Sequence, residues 1–173
     1  MIFSNIRQIA SLNTKLFEDL TERLNGKFDN PPGIGDIFKN TTPYFNLYSV
    51  YCQSHENASQ HIDVVMQKYP LFKQFIEKCS EHPDFINMQL ETLLIEPVQR
   101  IPRYILLLTD IFECTPKENN DHQPLKEALN RMTVLADKID KSITEYENRK
   151  KIYEIQKKMT GEYDVKVNTF FIL

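Results

Sequence analysis

Apolar residues recur along most of this chain at the three- and four-residue steps of an α-helix. The clearest stripe comes first. Ile2, Ile6, Ile9, Leu12, Leu16, Leu20 and Leu24 predict one helix over residues 2–25, stopped at Gly26. No capping residue precedes it, so further sequence is expected upstream of Met1. Asp29-Asn30-Pro31-Pro32-Gly33 reads as a turn. Residues 35–54 are helical again, with Thr41-Thr42-Pro43 breaking or restarting the helix. Tyr44, Phe45, Tyr48 and Tyr51 are expected in the core. Ser54 to Asn57 reads as a short joint, followed by helices over Ala58–Lys68 and Leu71–Ser80 with Tyr69-Pro70 between them. His82-Pro83-Asp84 is another turn.

The most apolar segment runs from Leu93 to Leu108, yet its middle carries two prolines, two arginines and a glutamine. Pro97 reads as a first-turn proline, whose missing N–H costs nothing there. Pro102 lies deeper, removes a backbone hydrogen bond and is expected to bend the helix. Val98, Ile101, Ile105 and Leu108 share one face. Gln99, Arg100 and Arg103 form a polar stripe beside it. A solvated edge on a buried helix is the ordinary account of such a stripe. The helix is expected to reach about Thr115, and a polar loop to follow up to Gln123. From Pro124 to about Thr160 the pattern predicts the longest helix, with a stripe of Leu125, Leu129, Met132, Ala136, Ile139, Ile143 and Tyr146. Ile152, Ile155 and Met159 extend the stripe, and the basic final third is expected to project from the bundle. Val165 to Leu173 changes to β-branched and aromatic residues, a strand signal.

Composition narrows the function classes. A net charge of −3 lacks the basic field of a nucleic-acid binder. Only 4 glycines and no tryptophan occur, and helix formers abound. Cys52, Cys79 and Cys114 are too scattered for a disulfide framework and fit a reducing cytosol. No apolar run approaches the roughly 20 residues of a membrane helix, and the N-terminus lacks the pattern of a signal peptide. There is no glycine-rich phosphate loop, no paired metal-ligand motif and no nucleophile with a base at a plausible spacing. Cys79 and His82 stand three apart without a second pair, so a structural role outweighs zinc. No metal, cofactor or covalent catalysis is expected, which leaves recognition of a macromolecule.

One stretch makes the recognition specific. Leu93-Leu94-Ile95-Glu96-Pro97-Val98-Gln99-Arg100-Ile101-Pro102-Arg103-Tyr104, followed by Leu106-Leu107-Leu108, resembles the third conserved region of Dbl-homology domains, the exchange factors for Rho-family GTPases. Ile2 to Ile6 resembles the segment after that family's first conserved helix. Phe45 to Cys52 resembles its second region, and Glu147-Asn148-Arg149 with Ile155-Gln156 the end of its last helix. The resemblance implies an all-α, elongated multi-helix bundle over residues 1–161 with a long C-terminal helix. Residues 162–173 would be a linker or the first strand of a following pleckstrin-homology domain.

It also implies a function without bond chemistry. Such domains bind the nucleotide-free GTPase, reshape switch I and switch II, disturb the magnesium site and release GDP. By resemblance, Gln99, Arg100 and Arg103 meet the switches, with Arg103 standing where many members have lysine. Asp140 matches a last-helix position that reaches switch II. Ile95 matches a position that helps select among GTPases, and isoleucine there points to a Rac-type partner. A cytoplasmic protein, recruited to membranes by other domains, is implied. Glu96 departs from the family's frequent basic residue, and Ile105 from its frequent proline. The first conserved region, which supplies a glutamate to switch I, has no counterpart in these residues. The alternative is therefore a non-catalytic helical scaffold that binds a GTPase or another protein through the same surface.

Overall fold

A computed structural model describes residues 2–26, 32–85 and 88–158. Helices and short 3-10 turns make up nearly all of it, and no strand occurs among the described residues. The helices are α1 (Ile6–Leu24), α2 (Gly35–Thr41), α3 (Leu47–Lys68), α4 (Pro70–Ser80), α5 (Leu90–Glu113) and α6 (His122–Lys158). A 3-10 segment, Thr42–Asn46, joins α2 to α3, and another, Pro83–Phe85, follows α4. No helix among the described residues is long and apolar enough to cross a membrane.

The core forms where the periodic stripes meet. Ile9 and Leu16 of α1, Ile37 and Phe38 of α2, Phe45 of the 3-10 segment, and Tyr48, Tyr51 and Cys52 at the start of α3 are buried together. Ile101, Tyr104 and Leu108 of α5 join them, as do Leu125, Ala128, Met132, Leu135 and Ile139 of α6. Helices α2, α3 and α5 all pack on α6, which acts as the spine. Burial pushes the Cys52 thiol up to about 11, so this cysteine stays a neutral core residue at physiological pH. Helix α4 contributes no buried residue and rests on α3.

The expected stripes of α1, α5 and α6 are the buried faces, except that Leu24 at the end of α1 is 48% exposed, and several boundaries differ. Helix α1 begins at Ile6, not at residue 2. Ser4 has φ 41°, a left-handed turn, and the Ile6 N–H bonds to the Phe3 carbonyl. The Asn5 side chain does not cap α1; its amide donates to the Leu47 carbonyl at 2.9 Å and ties the two helix starts together. The expected joint at Ser54 to Asn57 lies within a continuous α3. Its polar groups serve as contacts: the Asn57 amide donates to the Tyr146 hydroxyl, and Lys150 donates to the Asn57 side-chain oxygen at 2.7 Å. Tyr44, expected in the core, is 65% exposed. Phe45 takes the inward position of that 3-10 turn, and its neighbour is rotated outward.

Pro97 is not a first-turn residue. Helix α5 starts at Leu90 and runs unbroken through both prolines, so Pro97 and Pro102 both lie inside it. The backbone carbonyls four residues earlier, at Leu93 and Val98, lose their usual donors. Beside the first gap, the buried Tyr51 hydroxyl donates to the Leu94 carbonyl at 2.9 Å. The long helix has 37 residues, about 55 Å at the standard rise. Its far end projects as expected: Ile152 and Ile155 are 49% and 59% exposed, so they do not extend the buried stripe. Met159 and the strand signal of Val165 to Leu173 lie outside the described residues.

The seam between α2 and α6 is unusually close. The N–H groups of Ile34 and Gly35 donate to the Asp121 carboxylate at 2.8 and 3.0 Å, placing a negative charge at the positive end of α2. Arg23 grips Asp36 with both guanidinium nitrogens, at 2.8 and 2.9 Å, and holds its carboxyl below the usual range. A Cβ on Gly35 would come within 2.4 Å of the Leu125 backbone nitrogen, a part of α6 that cannot rotate away. Gly35→Ala is therefore expected to destabilise the domain by about 1–3 kcal/mol, the usual cost of forcing an extra group into a packed seam. Urea unfolding measures it; an unchanged midpoint would mean that α2 can shift freely on α6.

Candidate functional site

On the polar edge of α5, an apolar, core-packed helix presents a compact set of charged and amide groups. Ile101, Tyr104 and Leu108 hold its inner face in the core, and Val98 and Ile105 are half-buried beside them. Gln99, Arg100 and Arg103 are exposed, as the helical period requires. Ile95 is half-buried at the N-terminal end of the same surface. The helical period placed Gln99, Arg100 and Arg103 on one stripe, and the fold leaves all three exposed there, with Ile95, singled out by resemblance alone, half-buried on the same helix.

The edge is ordered from within the molecule. Arg103 donates through Nη1 to Glu96 Oε2 and through Nη2 to Gln99 Oε1, both at 2.7 Å. The Arg100 guanidinium lies over the Tyr104 ring, 4.7 Å from its centre. Tyr104 carries that contact into the core. Its ring stacks on Phe45 and meets Phe38 edge-on, each at 5.6 Å between centres. Its hydroxyl donates to Asn13 Oδ1 at 2.8 Å. The Asn13 amide in turn donates to the Tyr48 hydroxyl and to the Ile9 carbonyl, each at 2.7 Å. Burial pushes Tyr48 up to about 12, so it remains a neutral phenol that can donate and accept in this chain of bonds. One asparagine on α1 thus connects tyrosines on α3 and α5 (a link that sequence spacing could not reveal, because Asn13 looks like any polar residue beside an apolar stripe).

Asp140 is exposed on α6 but does not join this cluster through any contact among the described residues. Its backbone carbonyl accepts the Thr144 hydroxyl, and its charge helps to raise the thiol of Cys52 on α3. It therefore belongs to the α3–α6 seam. Among the described residues, no group of histidine, cysteine, aspartate and glutamate side chains is placed to hold a metal.

A family model, the RhoGEF domain, matches residues 1–140 of the chain. The protein belongs to the RhoGEF family. That match takes in α1 to α5, the whole α5 edge and Asp140. The chain is 34% identical over 163 residues to "Guanine exchange factor for Rac 30" of Dictyostelium discoideum, covering 94% of this chain and 10% of that protein. It is 30% identical to the human "FYVE, RhoGEF and PH domain-containing protein 4", covering 95% of this chain and 21% of the relative. The chain therefore spans between a tenth and about a fifth of the length of these two relatives. A solved structure of the Vav1 exchange factor superposes with a TM-score of 0.77 at 28% identity, over 90% of this chain and 41% of that one. The RhoGEF helical bundle expected from the α5 motif is the observed fold.

The polar chain behind α5 ties α1, α3 and α5 of this RhoGEF domain together. Asn13→Ala strands the Tyr104 and Tyr48 hydroxyls below the surface and is expected to cost about 1–3 kcal/mol of stability. Chemical denaturation reads this directly. A loss below about 0.5 kcal/mol, the range of ordinary surface substitutions, would show that α5 does not depend on the asparagine bridge.

Proposed function

We propose that this domain binds switch I and switch II of a Rho-family GTPase and promotes release of GDP. The observation that carries the reading is the exposed Gln99-Arg100-Arg103 edge on a core-anchored helix, within a chain that belongs to the RhoGEF family. The work is conformational. A partner that binds the distorted, nucleotide-free GTPase more tightly than the GDP form shifts the GTPase toward losing nucleotide. No bond is made or broken, and no group of the domain needs to titrate.

Each residue has a defined part. Arg103 and Arg100 offer fixed N–H donors to acceptors on the switches, and arginine supplies a planar fork where a lysine would give a point charge. Gln99 adds an amide beside them. Ile95 supplies an apolar contact at the end of the edge and bears on partner choice. Asp140 accepts from the switch II side, one helix away on α6. Isoleucine at 95, together with a relative named as an exchange factor for Rac, supports a Rac-type GTPase. The domain so assigned spans residues 1–161, with residues 162–173 a linker or the first strand of a following domain. A cytoplasmic protein brought to membranes by other domains fits this arrangement.

Release of a fluorescent GDP analogue from a panel of Rho-family GTPases tests the proposal. The protein should accelerate release from at least one of them. Arg103→Ala should slow that release by about tenfold or more, the value of one or two charge-assisted hydrogen bonds, with little change in Tm. No acceleration from any GTPase at saturating protein would sink the exchange function. A large fall in Tm for Arg103→Ala would show instead that the arginine serves the fold.

A further inference from the structure

We propose that Glu96 is a positioning residue, which holds Arg103 and Gln99 in the orientation that a GTPase meets. The inference rests on the reading of the α5 edge as the GTPase contact, and it adds a residue with no assigned role. Glu96, Gln99 and Arg103 stand at positions i, i+3 and i+7, so two turns of α5 stack them in one line. The Arg103 guanidinium bridges both of its neighbours, donating to Glu96 Oε2 and Gln99 Oε1 at 2.7 Å each. It therefore lies flat along the helix instead of sweeping through solvent.

The consequences follow from donor and acceptor chemistry. Arginine can only donate, so it holds the oxygen of Gln99 toward Arg103 and leaves the amide NH2 of Gln99 outside that bond. The guanidinium keeps unused N–H groups, and Glu96 keeps its second carboxylate oxygen. The edge thus shows an incoming protein an ordered row: an acceptor, an arginine fork and an amide donor. Glu96 and Arg103 are 49% and 48% exposed, and an ion pair that open to water contributes little to folding. Its value lies in removing side-chain freedom before the partner arrives. A mobile arginine would lose that freedom on binding, which lowers affinity. The glutamate at 96 is thus the counterpart of the arginine at 103: its acceptor oxygen keeps a long cationic side chain in place.

The test is a double-mutant cycle on binding to a nucleotide-free GTPase that the wild-type protein engages. Glu96→Ala is expected to weaken binding by about three- to tenfold, the cost of ordering one long side chain on association. Glu96→Gln keeps an acceptor oxygen at the same reach and should stay within about twofold of wild type, since most of the positioning survives. In an Arg103→Ala background, Glu96→Ala should have no further effect. All variants should keep the wild-type Tm. The proposal is overturned if Glu96→Ala binds as well as wild type or better. It is also overturned if the effect persists without Arg103, because the glutamate would then act on the GTPase directly, or if Glu96→Gln is as weak as Glu96→Ala, because an acceptor oxygen at this reach would then not be what holds Arg103. A wild-type protein that binds no GTPase overturns the exchange-factor reading and the clamp with it, whereas normal wild-type binding with an unaffected Glu96→Ala overturns the clamp only.

Discussion

Tyr104 is the side chain on which the site depends. Only 6% of it is exposed, yet it reaches from the centre of the bundle to the polar edge of α5. Its ring packs on Phe38 and Phe45, its hydroxyl enters the Asn13–Tyr48 chain, and its outer face lies under Arg100. Aromatic pairs of this kind are worth about 0.5–1.5 kcal/mol each beyond the area they bury. The contacts come from three different elements, so they fix the rotation of α5 about its own axis. A helix with two internal prolines has a weakened hydrogen-bond ladder and needs such external restraint. The Tyr51 bond to the Leu94 carbonyl adds a second restraint near the first proline.

The division of labour along α5 follows from this. The inner face is apolar and closely packed, and it decides where the helix sits. The outer edge contributes little to stability, and its groups are free to serve recognition. Arg100 is held by the Tyr104 ring and Arg103 by Glu96 and Gln99, so both cations are placed without burying either charge. This avoids the desolvation cost of a buried ion pair while keeping the donors ordered. The supporting helices α2, α3 and α6 carry the core that makes such precision possible, and the Asp121 cap on α2 locks the end of α6 to that core.

Much of this was legible in the sequence, for identifiable reasons. The stripes of α1, α5 and α6 are long and regular, so a 3.6-residue period marks their buried faces without ambiguity. Gln99, Arg100 and Arg103 stand out because a core helix has no need of them. What the pattern hid were tertiary effects. Ser54 to Asn57 looks like a joint because it is polar, but Asn57 is polar in order to meet Tyr146 and Lys150 of α6. Pro97 looks like a helix start, yet burial of Leu94 and the Tyr51 bond extend α5 upstream of it. Tyr44 belongs to a dense aromatic set, but it precedes Phe45 on a tight turn and faces out. Asn13 is invisible to periodicity, since its role exists only when α1, α3 and α5 are brought together.

The central claim is that this edge recognises a GTPase in its nucleotide-free shape. The most direct measurement is the affinity of the protein for one Rho-family GTPase in two states, nucleotide-free and loaded with GDP and magnesium. The account predicts binding on the order of a hundredfold tighter to the nucleotide-free state, because only a difference in affinity can drive nucleotide out. Equal affinity for the two states would contradict it.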